Sequence, residues 1–222
     1  MAEPSTKRLK TNLPVCKTHR ACVGSKVKQN LTSAVEESLC GVSTLLLEVA
    51  YRLEALSQIF EQDDVALPRV AAFFHQESGK EQEQAEAMMD YLCERGGQYC
   101  NKDIQKQGSE QVCPCVFQKQ GSEQKPGCEQ VCAVLPALEL LLAQWKDEMC
   151  VLVDLSLLAR QNSDPHSASV VKSRFLGPLV ARVKLLGDLL TNARRLGCGA
   201  VGTLGEYLID QLQEELTSAG VA

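Results

Sequence analysis

Residues 70–97 read VAAFFHQESGKEQEQAEAMMDYLCERGG. Val70, Phe74, Met88 and Tyr91 recur at steps of three and four, which gathers them on one side of a helix. Glu77, Glu81 and Gln84 fill the same steps between Phe74 and Met88, so the stripe is apolar at both ends and polar in the middle. A carboxylate and an amide on a core-facing stripe are costly to bury. Glu81 and Gln84 stand at i and i+3, where two side chains share a helix face. The segment closes on Arg95-Gly96-Gly97, and glycine supplies the left-handed residue that ends a helix.

The segments on either side have the same period. Upstream, Leu39, Val42, Leu46, Val49, Leu53, Leu56 and Phe60 form an unbroken apolar seam. Thr32 or Ser33 caps its start, and Pro68 suits the first turn of the next helix. Downstream, a third helix over about 133–160 has the seam Leu138, Leu142, Trp145, Met149, Leu152 and Ala159. Asp164-Pro165 opens a fourth, with the seam Leu176, Leu179, Val183, Leu186, Leu190 and Ala193. Pro178 lies inside that helix and predicts a kink or a disturbed turn. Glycines at 197–202 break the chain, and residues 204–216 form a short amphipathic helix. The prediction is an all-α, antiparallel four-helix bundle over 31–216, with a long crossover and a short fifth helix.

The crossover, about 100–132, has an internal duplication. QKQGSEQ at 105–111 recurs at 118–124, and EQVC at 110–113 recurs at 129–132. A surface insertion of this kind costs little closure entropy. It concentrates Cys100, Cys113, Cys115, Cys128 and Cys132. These thiols offer a soft-metal site, but their spacing matches no zinc module, and copying during duplication is the favoured account of them.

With eleven cysteines, an odd number, and no N-terminal apolar signal, reduced thiols inside a cell are the expectation. No apolar run reaches the roughly 18 residues of a spanning helix. Net charge is −5, unevenly placed: residues 1–30 hold seven Lys/Arg and one Glu, the remainder sixteen bases and twenty-seven acids. A disordered basic arm before an acidic body follows. Lys7-Arg8-Leu9-Lys10 leaves a nuclear location and a nucleic-acid contact open beside the cytoplasmic expectation.

Residues 73–98, FFHQESGKEQEQAEAMMDYLCERGGQ, resemble the second bundle helix of the ferritin family, which carries Glu-x-x-His and ends in Arg-Gly-Gly. The turn FEQDDVAL at 60–67, Asp164-Pro165-His166, Leu186-Gly187-Asp188, Thr191-Asn192 and LGEYL at 204–208 extend the resemblance, in order, over about 30–215. Against that pattern the crossover is nineteen residues too long, the interval between the two EQVC copies.

The resemblance implies a shell of 24 subunits storing iron, either of this chain alone or mixed with heavy- or light-type chains. It places the ligands of an iron-oxidising centre at Leu46, Leu53, Glu81, Gln84, Trp145 and Leu179 of this chain, and only Glu81 keeps a ligand. The expectation is therefore a non-enzymatic subunit with iron as cargo. The resemblance places two mineral-nucleating carboxylates at Glu83 and Glu86, with Lys80 at a third such position; an ordinary solvated face is the alternative. The acidic positions of a threefold pore fall on Ser169 and Lys172. Leu204, Leu208 and Leu212 are expected at the fourfold contact. Two other readings stay open: an iron-independent interaction protein, nuclear or nucleic-acid binding, and a thiol-based metal binder.

Overall fold

The computed structural model describes residues 13–14, 25–99, 133–198 and 202–218, with side chains of the final helix described through Gln211. Helix α1 spans Ser33–Phe60, α2 Pro68–Glu94 and α3 Val134–Gln161. The fourth rod is α4 (Pro165–Val170), a π-helical turn (Val171–Leu176) and α5 (Gly177–Arg195), and α6 spans Leu204–Ser218. No strand occurs among the described residues. Helices α1 and α2 pair most extensively, α3 packs on the fourth rod and on α1, and α6 lies against α2 and α5. This is the predicted ferritin-like bundle with its fifth helix.

Local chemistry sets the helix ends. The Val35 amide donates to Thr32 Oγ1 at 3.4 Å, and the Ser167 amide to Asp164 Oδ1 at 3.1 Å. Gly96 has φ +72°, and the Gly97 amide closes α2 by donating to Leu92 O at 2.9 Å. Phe60 and Phe74 stack at 5.4 Å and tie the end of α1 to the start of α2. At the opposite end Arg95 donates to both Asp164 oxygens at 3.1 Å. Hydrogen bonds from Ser167 and Arg95 outweigh burial and hold the Asp164 carboxyl below its usual range.

Pro178 disturbs the turn before it, as expected. Proline has no N–H and its ring crowds the carbonyl four residues back. The preceding turn widens, so that the Gly177 amide reaches Lys172 O, five residues back.

Two seams differ from their predictions. On α3, Leu141 and Glu148 are fully buried, whereas Leu142 and Met149 are only half-buried. On the fourth rod Phe175 is buried and Leu176 and Val183 are partly covered. In each case the inward position is one residue earlier than the apolar residue expected there.

Parts of the expected loose arm are packed. Leu13 is 4% exposed within the core, and Pro14 lies on Gly41 of α1. Lys28 pairs with buried Glu36, and Arg95 donates to Gln29 O at 3.1 Å. Lys7 to Lys10 and the duplicated Cys-rich crossover, with its five thiols, lie outside the described residues. Among the described residues no helix is long and apolar enough to cross a membrane.

Candidate site at the bundle centre

Every third or fourth residue of α2 faces inward, and the sequence puts Glu77, Glu81 and Gln84 at consecutive steps of that stripe. Glu77 is 2% and Glu81 0% exposed, and Gln84 is half-buried with its Oε1 sealed from solvent. The partner that makes this tolerable comes from α5. Arg182 Nη2 donates to Glu81 Oε1 at 2.7 Å and its Nε to Glu77 Oε2 at 2.9 Å. Lys80 adds a bond to Glu77 Oε1 at 2.7 Å from the rim. From α3, Trp145 Nε1 donates to the same Glu81 Oε1 at 2.9 Å. The Arg182 guanidinium lies over the Trp145 ring, 4.4 Å from its centre.

Glu148 of α3 completes the cluster. It is 1% exposed, and neither carboxyl oxygen has a hydrogen-bond partner among the described residues. Burial, reinforced by the charge of Glu81 and opposed by Arg182, pushes its pKa up to about 8. A neutral carboxyl is the form such a site favours at pH 7. Burial also raises the Glu81 pKa, against the Arg182 charge and the bonds from Arg182 and Trp145. Burial pulls the Arg182 pKa down, but the Glu81 and Glu77 carboxylates outweigh it, so the guanidinium stays charged.

The remaining sequence-derived positions divide into two sets. Leu46, Leu53 and Leu179 are 0% exposed and Trp145 1%. Glu83 and Glu86 lie on the exposed side of α2, away from Glu81, and Glu86 receives a long bond from Gln82. Ser169 and Lys172 are exposed on the fourth rod. Of the named residues Trp145 and Glu81 are in direct contact, and Leu46, Leu53, Leu179 and Trp145 belong to the same apolar core. Arg182 and Glu148 were missing from the sequence reading. Both lie on unbroken three-four steps, Phe175–Leu179–Arg182–Leu186 and Leu141–Trp145–Glu148–Leu152, and that periodicity was the available signal.

Chemically, the cluster is compensated from within. The Arg182 guanidinium bridges the Glu77 and Glu81 carboxylates and supplies their counter-charge. Among the described residues no three His, Cys, Asp or Glu side chains form a group able to hold a metal ion.

The fold and this centre define a long-crossover helical bundle with buried carboxylates between its helices. Comparison with known proteins gives the family. The ferritin profile, Ferritin-like domain, matches residues 41–196. The chain is 33% identical to the ferritin middle subunit of Aquarana catesbeiana, over 84% of this chain and 95% of that protein. It is 32% identical to the ferritin light chain of Oryctolagus cuniculus, over 85% and 96%, and 31% identical to ferritin light chain 1 of Mus musculus, over 85% and 96%. The chain belongs to the ferritin family.

Proposed function

We propose that this chain is a shell-forming ferritin subunit that stores iron in the cytoplasm without oxidising iron itself. One observation carries the second half of that reading: Glu81, the one retained ligand-type residue, shares a single oxygen between Trp145 and Arg182. A ferrous ion approaching Glu81 meets a fixed guanidinium charge at short range, where the surrounding protein screens poorly. Leu46, Leu53 and Leu179 are buried core side chains that cannot bind a metal, Trp145 offers only an N–H donor, and Gln84 offers an amide where an imidazole would be needed.

Iron is then cargo that this chain houses. Glu83 and Glu86 present exposed carboxylates suited to the first ferric ions of a mineral, and Lys80 is drawn away to Glu77. Exposed Ser169 and Lys172 give a pore of this chain alone no acidic ring to concentrate ferrous ions. Both features favour a mixed 24-subunit shell in which a heavy-type chain supplies entry and oxidation, over a shell of this chain alone.

Light scattering on the purified chain, followed by ferrous loading with and without an active heavy-type ferritin, tests the reading. A shell that mineralises only with the active partner supports it. Rapid oxidation by this chain alone overturns its non-enzymatic part, and a monomer that neither co-assembles nor retains iron overturns the whole.

A further inference from the structure

Helix α6 buries two acids beside one isoleucine and leaves a set of apolar side chains exposed. Glu206, Ile209 and Asp210 are 4%, 5% and 2% exposed on the side facing the bundle. Leu204, Tyr207 and Leu208, on the opposite side, are 73%, 58% and 38% exposed. A helix that turns leucines to solvent and acids to the core needs a reason for each.

The reason for the acids is found at two other helix ends. The N-cap residues of α2 and α3 are Leu67 and Ala133, neither of which makes a side-chain cap. The first amides of a helix have no partner within it and form the positive end of its dipole. Asp210 Oδ1 accepts from the Arg69 and Val70 amides at 2.8 and 3.0 Å. Glu206 Oε1 accepts from the Val134 amide at 3.0 Å, and its Oε2 from the Gly202 amide at 2.9 Å. The two acids stand one turn apart on α6, so a single helix caps two others. The Arg69 guanidinium donates back to Gln211 O at 2.8 Å. A third contact fixes the approach, since a Cβ at Gly205 would come within 2.2 Å of Leu196 O. Two caps and one close backbone contact leave α6 a single rotation about its axis.

We infer that Glu206 and Asp210 are positioning residues for assembly: by capping α3 and α2 they set the rotation of α6 that turns Leu204, Tyr207 and Leu208 toward further copies of the chain. The inference rests on the shell reading above. An uncharged apolar stripe repeated on every copy can meet its own equivalents about a symmetry axis without charge repulsion, as identical chains in a closed assembly do. The apolar side chains supply the contact, and the buried acids direct it.

The test compares the full chain with a Glu206→Ala/Asp210→Ala double variant. Particle size is read by light scattering, and amide hydrogen exchange is followed separately in α1, α3 and α6. The expected result is protection retained in the α1 and α3 interiors, at least tenfold faster exchange in α6, and loss of the large particle. Asp210→Asn keeps an acceptor oxygen and should restore assembly relative to Asp210→Ala; equal failure of both would overturn the capping geometry as the cause. If the double variant loses α1 protection, Asp210→Ala alone, with the α3 cap intact, carries the same test. An assembled parent whose alanine variants assemble equally well would overturn the role of the caps. Where the parent forms particles only with a heavy-type chain, the same comparison is read on the mixed particle; a parent that is monomeric alone and does not co-assemble would overturn the shell reading, and the assembly role with it, while α6 exchange would still report whether the caps hold the helix.

Discussion

The indole N–H of Trp145 and the guanidinium of Arg182 meet on one oxygen of Glu81, and the guanidinium also covers the indole face at 4.4 Å. Three helices therefore share one polar contact in the middle of an apolar core. A buried charge network is costly to assemble, but removing one member costs more, because it strands the others.

Replacing Arg182 with methionine leaves Glu77 and Glu81 buried without their counter-charge, apart from the rim contact of Lys80. The expected loss is about 3–5 kcal/mol in denaturant unfolding. Trp145 is the sole tryptophan, so its emission reports the same event locally. An Arg182→Met protein as stable as the parent, with unchanged emission, would show that the cluster contributes nothing to the fold.

Glu148 makes stability depend on pH in a defined direction. Its pKa rises from 4.5 to about 8 on folding. Between those values the folded chain keeps a proton that the unfolded chain has released. The contribution is fully present below pH 4.5 and is lost as pH rises through about 8, with a slope of at most about 1.4 kcal/mol per pH unit. Glu148→Gln keeps the shape without the titration. Its unfolding midpoint should exceed the parent's at pH 8, and the difference should shrink toward pH 5. A constant gap between the two proteins across that range would refute the assignment.

Gln84→His restores an imidazole beside Glu81 and nothing else. With Leu46, Leu53, Trp145 and Leu179 unchanged and Arg182 in place, aerobic mixing with ferrous salt should produce ferric absorbance no faster than the parent chain. Fast oxidation by this single variant would remove the main argument for a passive subunit.

Gly41→Ala probes the docked N-terminal segment. The new methyl carbon would come within 2.1 Å of Pro14 O, a backbone atom that cannot rotate aside. Displacing the segment exposes Leu13, at about 1.5–3 kcal/mol, while alanine recovers about 1 kcal/mol of helix propensity. A net loss on the order of 1 kcal/mol and faster cleavage near residues 13–14 under limited proteolysis are expected. An unchanged cleavage pattern would mean that the contact with Pro14 does not hold the arm.

Helix number, order and caps were legible because period and punctuation are local properties. Thr32, Pro68, Gly96 and Asp164 each act where the sequence places them. The polar notch at Glu77, Glu81 and Gln84 was visible for the same reason. Its partners were not, because a choice between adjacent residues favoured the apolar one: Val183 over Arg182, and Met149 over Glu148. That preference holds in an ordinary core and fails where charges compensate each other across helices, a relationship that only the packed structure displays. The acids of α6 escaped notice similarly, since their partners are backbone amides about 70 and 140 residues away.

The Arg182 contact also bears on how this chain can change over generations. A substitution that introduced a metal ligand first would place it beside a permanent positive charge and gain no ion. One that removed Arg182 first would leave buried acids uncompensated and the chain less stable. Either order passes through a disadvantaged intermediate. On the proposed non-enzymatic reading, those two intermediates separate this self-neutralised core from a metal-binding one, and Arg182 is the residue that makes both of them unfavourable.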